Sequence, residues 1–175
     1  MNRYSTFHQE QHLRPDFDRS RFNSLHRWDL GWEILTPINI AKDQGDGEEE
    51  LMRQFSPGQK ALYFFWYLDA QVTNGGFIQF YLNGYRKYFE AIKSGLELIC
   101  DKSMIDIVER ADNAFQANRA EFDNAEVHQD TEDLYAKLES TFYPLDSAYY
   151  LAHDTTMSLV EVYIRANPDQ FVRLV

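Results

Sequence analysis

The sequence predicts an all-α fold, a compact single-domain multi-helix bundle around a buried, aromatic-rich central helix. Eight consecutive apolar or aromatic residues, 61–68, do not alternate with polar ones as a half-exposed strand requires. Elsewhere apolar residues recur at steps of three and four, the spacing of one helix face. No stretch shows strand alternation, and no segment repeats at a fixed interval. We therefore expect helices in an arrangement less regular than a four-helix bundle.

The central helix is predicted over residues 57–73. Ser56 is a favourable N-cap, and Pro57 is favourable as the first helical residue. The Asn-Gly-Gly sequence at 74–76 supplies a stop, because glycine adopts the left-handed backbone that closes a helix. A helix that is apolar on nearly all sides is buried among others. The remaining helices are therefore expected to pack around this one.

The N-terminal part is predicted to be an irregular arm, residues 1–28, that packs a few aromatic side chains onto a helical domain of residues 29–175. Asp29 is expected to cap a short helix that Pro37 ends. Residues 42–50 are expected to form a polar loop. Their D-Q-G-D-G segment resembles a calcium loop but lacks the glutamate that such a loop needs at its twelfth position.

The second half of the chain is predicted to add more helices. They are expected at Phe77–Leu82, along the stripe from Tyr85 to Ile99, after a Ser103 cap, from Asp130 or Thr131 to Pro144, and from about Asp146 to Ala166. A break at Asp154 is the alternative for the last of these. Cys100 falls on an apolar helix face and is predicted to be a buried thiol.

Several function classes are excluded by composition and motif. A single cysteine rules out a disulfide framework and a cysteine-based zinc site. No apolar run approaches the ~20 residues of a membrane span, and the first thirty residues lack a signal-peptide core, so we expect a cytoplasmic protein. The phosphate-loop, dinucleotide, zinc-protease and nucleophile-elbow motifs are missing. We therefore expect no enzyme activity, no cofactor and no metal.

Negative charge concentrates in the C-terminal part. The net charge is −11, and residues 101–175 hold 15 acidic and 6 basic residues. Such a surface repels nucleic acid and anionic membranes and attracts a basic partner; a solubilising role alone is the alternative. The candidate partner-binding residues are the eleven carboxylates between 101 and 139: Asp101, Asp106, Glu109, Asp112, Glu121, Asp123, Glu126, Asp130, Glu132, Asp133 and Glu139.

Some of these carboxylates form rows at helical spacing. The rows are Asp106-Glu109-Asp112 and Asp123-Glu126-Asp130-Asp133, and the second would share one face if its helix were continuous. Few lysines or arginines lie among them, so the carboxylates within each row are expected to repel one another. This repulsion would lower the stability of the fold, and a binding function would explain why the rows are present. One row carries a charge every ~4.5–6 Å, against ~1.7 Å for duplex DNA. Two or three adjacent rows would bring the spacing of charges closer to that of duplex DNA.

The segment from Ala61 to Tyr85, A-L-Y-F-F-W-Y-L-D-A-Q-V-T-N-G-G-F-I-Q-F-Y-L-N-G-Y, resembles the central motif of a bacterial family of DNA-mimic proteins, long classed as a domain of unknown function. Leu138–Asp146 and Val162–Phe171 are also similar to that family, so the resemblance covers about residues 50–171. It implies an all-helical protein with a duplex-like negative surface. Such a protein binds a helix-turn-helix repressor, keeps it off its operator and relieves repression. The matching residues belong to the core and the caps, so they assign no contact with a partner.

We therefore expect a non-enzymatic DNA mimic that blocks a DNA-binding transcriptional regulator of the helix-turn-helix type. A homodimer would extend the acidic surface and match a two-fold partner. One alternative is an immunity-type inhibitor of a basic toxin. The other is a small-molecule enzyme or sensor with a pocket near Asp69, Asn74 and Tyr85.

Overall fold

A computed structural model of the protein describes residues 12–44, 48–128 and 131–175. Within these ranges the chain forms eight α-helices and two very short strands, which confirms the all-α prediction. The elements are β1 (Asp16–Phe17), α1 (Arg19–Ser24), α2 (Arg27–Gln44), α3 (Glu48–Met52), α4 (Pro57–Leu82), α5 (Phe89–Leu98), α6 (Lys102–Ala117), α7 (Arg119–His128), α8 (Thr131–Ala166) and β2 (Arg173–Leu174), with 3-10 turns at Tyr85–Tyr88 and Pro168–Gln170. Among the described residues, none of the helices has both the length and the apolar character that a membrane crossing requires.

Helix α4 is the centre of the molecule, as predicted. The Ser56 hydroxyl accepts a hydrogen bond from the Gln59 N–H, and the Gln59 side chain accepts one from the Ser56 N–H, so the helix begins with a capping box. Tyr63, Phe64 and most of their neighbours along the helix are almost fully buried. Helices α5 and α8 pack most extensively against it. The aromatic side chains of α4 therefore form the middle of the core.

A kink divides α4 at Gly75 and Gly76. Gly76 has φ 72° and ψ −177°, a conformation that is essentially restricted to glycine. The kink leaves one helical segment before it and a short one from Phe77 to Leu82, which confirms the predicted stop at the Asn-Gly-Gly sequence. A Cβ atom on Gly76 would lie 2.5 Å from Oδ2 of Asp146 on α8. Close approach of α8 therefore adds a second reason for glycine at this position.

Two helices continue through prolines that were predicted to end them. Helix α8 runs through Pro144 without a break, and α2 runs through Pro37. Proline removes one backbone hydrogen bond and introduces a bend or a break where packing does not compensate. Here, Phe142, two residues before Pro144, and Leu145, directly after it, are buried in the core, while Pro144 itself is exposed. Burial of the apolar face on both sides of the proline keeps the helix continuous.

The predicted irregular arm contains regular structure in its described part. β1 pairs in parallel with β2 at the other end of the chain, and Asp18 caps α1 by accepting a hydrogen bond from the Arg21 N–H. Two-residue strands are too short to show alternation in the sequence, which explains why none was predicted. Helix α2 begins at Arg27, so Asp29 lies in its first turn and does not cap it.

Helix α3 begins inside the segment predicted to be a polar loop, of which residues 45–47 lie outside the described part. The carboxylate of its first residue, Glu48, accepts hydrogen bonds from three tyrosine hydroxyls. The hydroxyls of Tyr63 and Tyr67 donate to Oε1 of Glu48 over 3.2 and 2.9 Å, and that of Tyr88 donates to Oε2 over 2.6 Å. Burial raises the pKa of Tyr63 and Tyr67, which therefore remain protonated donors. This carboxylate attaches α3 to the central helix.

The C-terminal half of α8 is attached to the N-terminal segment through Glu161. Its carboxylate accepts a hydrogen bond from the Arg27 N–H over 2.7 Å and from Nε of Arg165 over 2.9 Å, and lies 3.1 Å from Nδ1 of His26. Partial burial alone would raise the pKa of Glu161. The three donors outweigh burial and lower that pKa to about 2.

Cys100 lies in the connection between α5 and α6. This residue has φ 61° and is exposed, so the predicted buried thiol is wrong. The reason is that α5 ends at Leu98, before Cys100, which therefore lies on no helix face. The cap of α6 is Asp101, and Ser103, the predicted cap, lies inside the helix.

Candidate functional site

Nine of the eleven acidic residues predicted to bind a partner lie on three neighbouring helices: α6, α7 and the start of α8. α6 and α7 both pack against α8. Lys137 of α8 lies 3.4 Å from Glu121 of α7 and 2.7 Å from Asp133 on its own helix, which brings the carboxylates of the two helices together. We call the following partly or fully exposed carboxylates the acidic surface: Asp106, Glu109, Glu121, Asp123, Glu126, Glu132, Asp133 and Glu139.

Three of the eleven predicted residues are not part of the acidic surface. Asp101 is only 2% exposed, caps α6 through the Met104 N–H and accepts a hydrogen bond from the Thr156 hydroxyl over 2.5 Å. A partner cannot reach it, so its assignment to the binding surface is corrected. Asp112 accepts two hydrogen bonds from Arg86, over 2.8 and 3.0 Å, and its side chain is 13% exposed. Asp130 lies outside the described residues.

Most carboxylates of the acidic surface are paired with cations. Asp106 pairs with Arg110, Asp123 with Arg119, and Glu109 with Lys93. Hydrogen bonds to these carboxylates raise the pKa of Lys93 and Arg119, and Asp133 and Glu121 do the same for Lys137. The predicted self-repulsion of the rows is therefore wrong. Part of the reason is that Arg86 and Lys93 come from outside residues 101–139, so counting along that segment misses them.

The longer predicted row also lacks a continuous helix. α7 ends at His128 and α8 begins at Thr131, so Asp123 and Asp133 lie on different helices. Within the described part of the chain, Glu126, Glu132 and Glu139 form no ion pair, and all three are exposed. The carboxylates of the acidic surface that lack a described ion pair are therefore glutamates on α7 and α8.

A cleft of about 210 Å³ lies beside the acidic surface, between the ends of α4 and α6 and the start of α7. Tyr81 stacks on Phe115 with 4.3 Å between ring centroids. The guanidinium groups of Arg86 and Arg119 lie over the Phe115 ring at 5.6 and 5.4 Å. These arginines are held by Asp112 and Asp123, so the cleft has an aromatic floor and two paired arginines in its lining, together with Glu126.

Asp69 and Asn74, two residues of the predicted small-molecule pocket, have structural roles. Asp69 accepts a hydrogen bond from the Tyr149 hydroxyl over 2.8 Å. Nε2 of His153 lies 2.9 Å from Oδ1 of Asp69, close enough for an ion pair but not aligned for a hydrogen bond. Asp69 raises the pKa of His153. Asn74 donates to the Gln79 side chain within α4, on the two sides of the kink, whereas Asp69 joins α4 to α8 through Tyr149 and His153.

The Asn-Gly-Gly-Phe sequence forms a joint between α4 and α8. Oδ1 of Asp146 accepts the Phe77 N–H over 2.8 Å, while the Tyr135 hydroxyl donates to the Gly75 carbonyl over 2.9 Å. The Tyr150 hydroxyl donates to the Thr73 carbonyl over 3.2 Å. Burial raises the pKa of Asp146, although the Phe77 N–H opposes that shift. Side chains of α8 thus satisfy the backbone groups that the kink releases, and they fix how α8 lies on α4.

Sequence reasoning about charge missed the exposed tyrosines of α8. Tyr135, Tyr143 and Tyr150 are 37%, 66% and 53% exposed. Their spacing of eight and seven residues is a visible signal, because two turns of helix return a side chain to the same face. Large aromatic side chains left exposed along one helix face are typical of interaction surfaces.

Comparison with known proteins identifies the family. A family model described as DMP19-like protein matches residues 53–167, from just after α3 to just past the end of α8. No curated protein matches the chain. The matched region contains the kinked central helix, the joint with α8 and the whole acidic surface. The chain therefore belongs to the DMP19-like family, that of DNA mimic protein 19.

Proposed function

We propose that this protein is a DNA mimic that binds the DNA-contacting surface of a helix-turn-helix transcriptional regulator and keeps it off its operator, which relieves repression. Membership of the DMP19-like family is the observation that carries the proposal. The acidic surface supplies the chemistry, because arginines and lysines that contact phosphates also bind carboxylates. A net charge of −11 attracts a basic protein electrostatically before the two surfaces come into contact.

The ion pairs of the acidic surface are compatible with this role. The Arg119–Asp123 and Arg110–Asp106 pairs are more than half exposed. Exposed pairs contribute only about 0–1 kcal/mol, so a cation of the partner can replace an internal one at little cost. Among the described residues Glu126, Glu132 and Glu139 form no ion pair, although the charge of Glu126 also helps to raise the pKa of Arg119. These three glutamates are therefore the first groups that an approaching basic surface would engage.

A competition experiment tests the proposal. A regulator captured from cells of the source organism is bound to its operator, and this protein is added while the fraction of bound DNA is followed by gel shift. We expect release of the DNA, and we expect release to weaken as salt is raised, because screening shortens the attraction to about 8–10 Å. A ternary complex of regulator, DNA and this protein would contradict the proposal. Capture of a basic toxin in place of a regulator would favour an immunity-type inhibitor.

Matched charge variants sharpen the experiment. Asp123→Asn/Glu126→Gln removes two charges from the acidic surface. Glu33→Gln/Asp169→Asn removes two charges outside it, each from an exposed ion pair. We expect the first variant to release less DNA than the second at the same net charge. Equal release would indicate that only overall charge matters.

A homodimer is part of this proposal, since two acidic surfaces related by a two-fold axis would match a dimeric regulator. Sedimentation of the purified protein tests this point. A monomer at the concentration that releases the operator would exclude it.

A further inference from the structure

Helix α8 carries tyrosines and glutamates on one exposed face. Seen down the helix axis at 100° per residue, five side chains between residues 132 and 150 that are exposed fall within about 80° of one another, and the half-buried Asp146 lies in the same arc. They extend over about 27 Å at 1.5 Å per residue. We call this set the tyrosine face: Glu132, Tyr135, Glu139, Tyr143 and Tyr150.

The tyrosine face is partly held in place by α4. The hydroxyls of Tyr135 and Tyr150 donate to carbonyls released by the kink, while their rings remain 37% and 53% exposed. Tyr143 lies between them, 66% exposed, and within the described part of the chain its hydroxyl makes no hydrogen bond. Aromatic side chains that are already ordered lose little conformational entropy when a partner binds.

The charges of this face select the partner. Within the described residues, Glu132 and Glu139 form no ion pair, so the face offers two free carboxylates beside three aromatic rings. A guanidinium group can bind a carboxylate and stack on a tyrosine ring at the same time, which an ammonium group does less well. A second copy of this chain is disfavoured, because it would bring glutamates against glutamates.

We propose that the tyrosine face is the docking site for an arginine-bearing segment of the regulator, an inference that rests on the proposed function. Tyrosine and arginine dominate the binding energy of protein interfaces. The face therefore adds specific aromatic contacts to an acidic surface that by itself only attracts positive charge.

Binding of a synthetic octa-arginine peptide to the full chain, followed by 1H–15N NMR, tests this assignment, with octa-lysine for comparison. We expect the arginine peptide to bind more tightly and to shift signals on the tyrosine face. Tyr143→Ala should weaken arginine binding about two- to fivefold, the range of an exposed cation–π contact, and Tyr143→Phe should retain it. Val162→Ala is the control, because Val162 is 64% exposed on the same helix but outside the face. Thermal unfolding of each variant verifies the fold.

Three results would overturn the assignment. Unchanged arginine affinity in Tyr143→Ala is the first, and equal binding of the two peptides away from α8 is the second. The third is a shift in sedimentation caused by Tyr143→Ala, which would assign the face to a second copy of the chain. In the operator competition, Tyr143→Ala acting like wild type while Asp123→Asn/Glu126→Gln fails would leave the proposed function intact. Failure of the wild-type protein to release DNA would instead remove the proposed function.

Discussion

Replacing Gly76 with alanine tests whether the kink of α4 organises the fold. With φ 72° and ψ −177°, the residue occupies a region that costs an alanine about 1–3 kcal/mol. The new Cβ atom would also lie 2.5 Å from Asp146 Oδ2, so that carboxylate must move away from the Phe77 N–H. A buried donor left without its partner costs about 1–3 kcal/mol more. We expect a total loss of about 3–4 kcal/mol, a large part of the ~5–15 kcal/mol of a typical domain.

Gly84 provides the matched control. It has φ 71° and ψ 16°, yet a Cβ atom there would meet nothing within 4 Å. Gly84→Ala should therefore cost about 1 kcal/mol, from backbone strain alone. Urea unfolding of both variants, followed by circular dichroism, measures the difference. Equal losses for Gly76→Ala and Gly84→Ala would refute the idea that α8 closes tightly on the kink.

Two further substitutions separate structural carboxylates from exposed ones. Asp101→Ala should lower the free energy of unfolding by about 2 kcal/mol, because it removes the cap of α6 and the acceptor of a buried hydroxyl. Glu126→Gln should change the free energy of unfolding by less than about 0.5 kcal/mol. Equal urea midpoints for the two variants would contradict the assignment of Asp101. Glu161→Gln should cost about 2 kcal/mol at pH 7. Because the folded state lowers the pKa of Glu161 to about 2 from its ordinary 4.5, this contribution is complete above about pH 4.5 and is lost as pH falls toward 2. The stability difference from wild type should therefore shrink over that interval, and a difference independent of pH would argue against the three-donor site.

The sequence was a good guide wherever one local pattern determined one local structure. The buried run at 61–68, the Ser56 cap and the glycine kink all depend on neighbours close in the chain, so their signals are visible in the sequence. Prolines were a poorer guide. Pro144 breaks a helix by local rules, but buried side chains on both sides keep α8 intact. Tertiary packing therefore outweighed the local preference.

The candidate site was harder to predict because ion pairs join residues that are distant in sequence. Glu109 pairs with Lys93 of α5, and Asp112 pairs with Arg86 of the 3-10 turn at Tyr85–Tyr88. Counting charges from 101 to 139 could not include these cations. Conversely, Asp101 looks like any other acid in the sequence, and only the fold shows that it faces Thr156 in the interior.

Release of an operator from its regulator by this protein tests the central claim most directly. We predict that the wild-type protein frees the DNA at low salt, that raising the salt concentration suppresses the effect, and that Asp123→Asn/Glu126→Gln impairs it more than Glu33→Gln/Asp169→Asn does. Simultaneous binding of the regulator to DNA and to this protein would show that the acidic surface does not occupy the DNA site, and DNA mimicry would then be the wrong account of this chain.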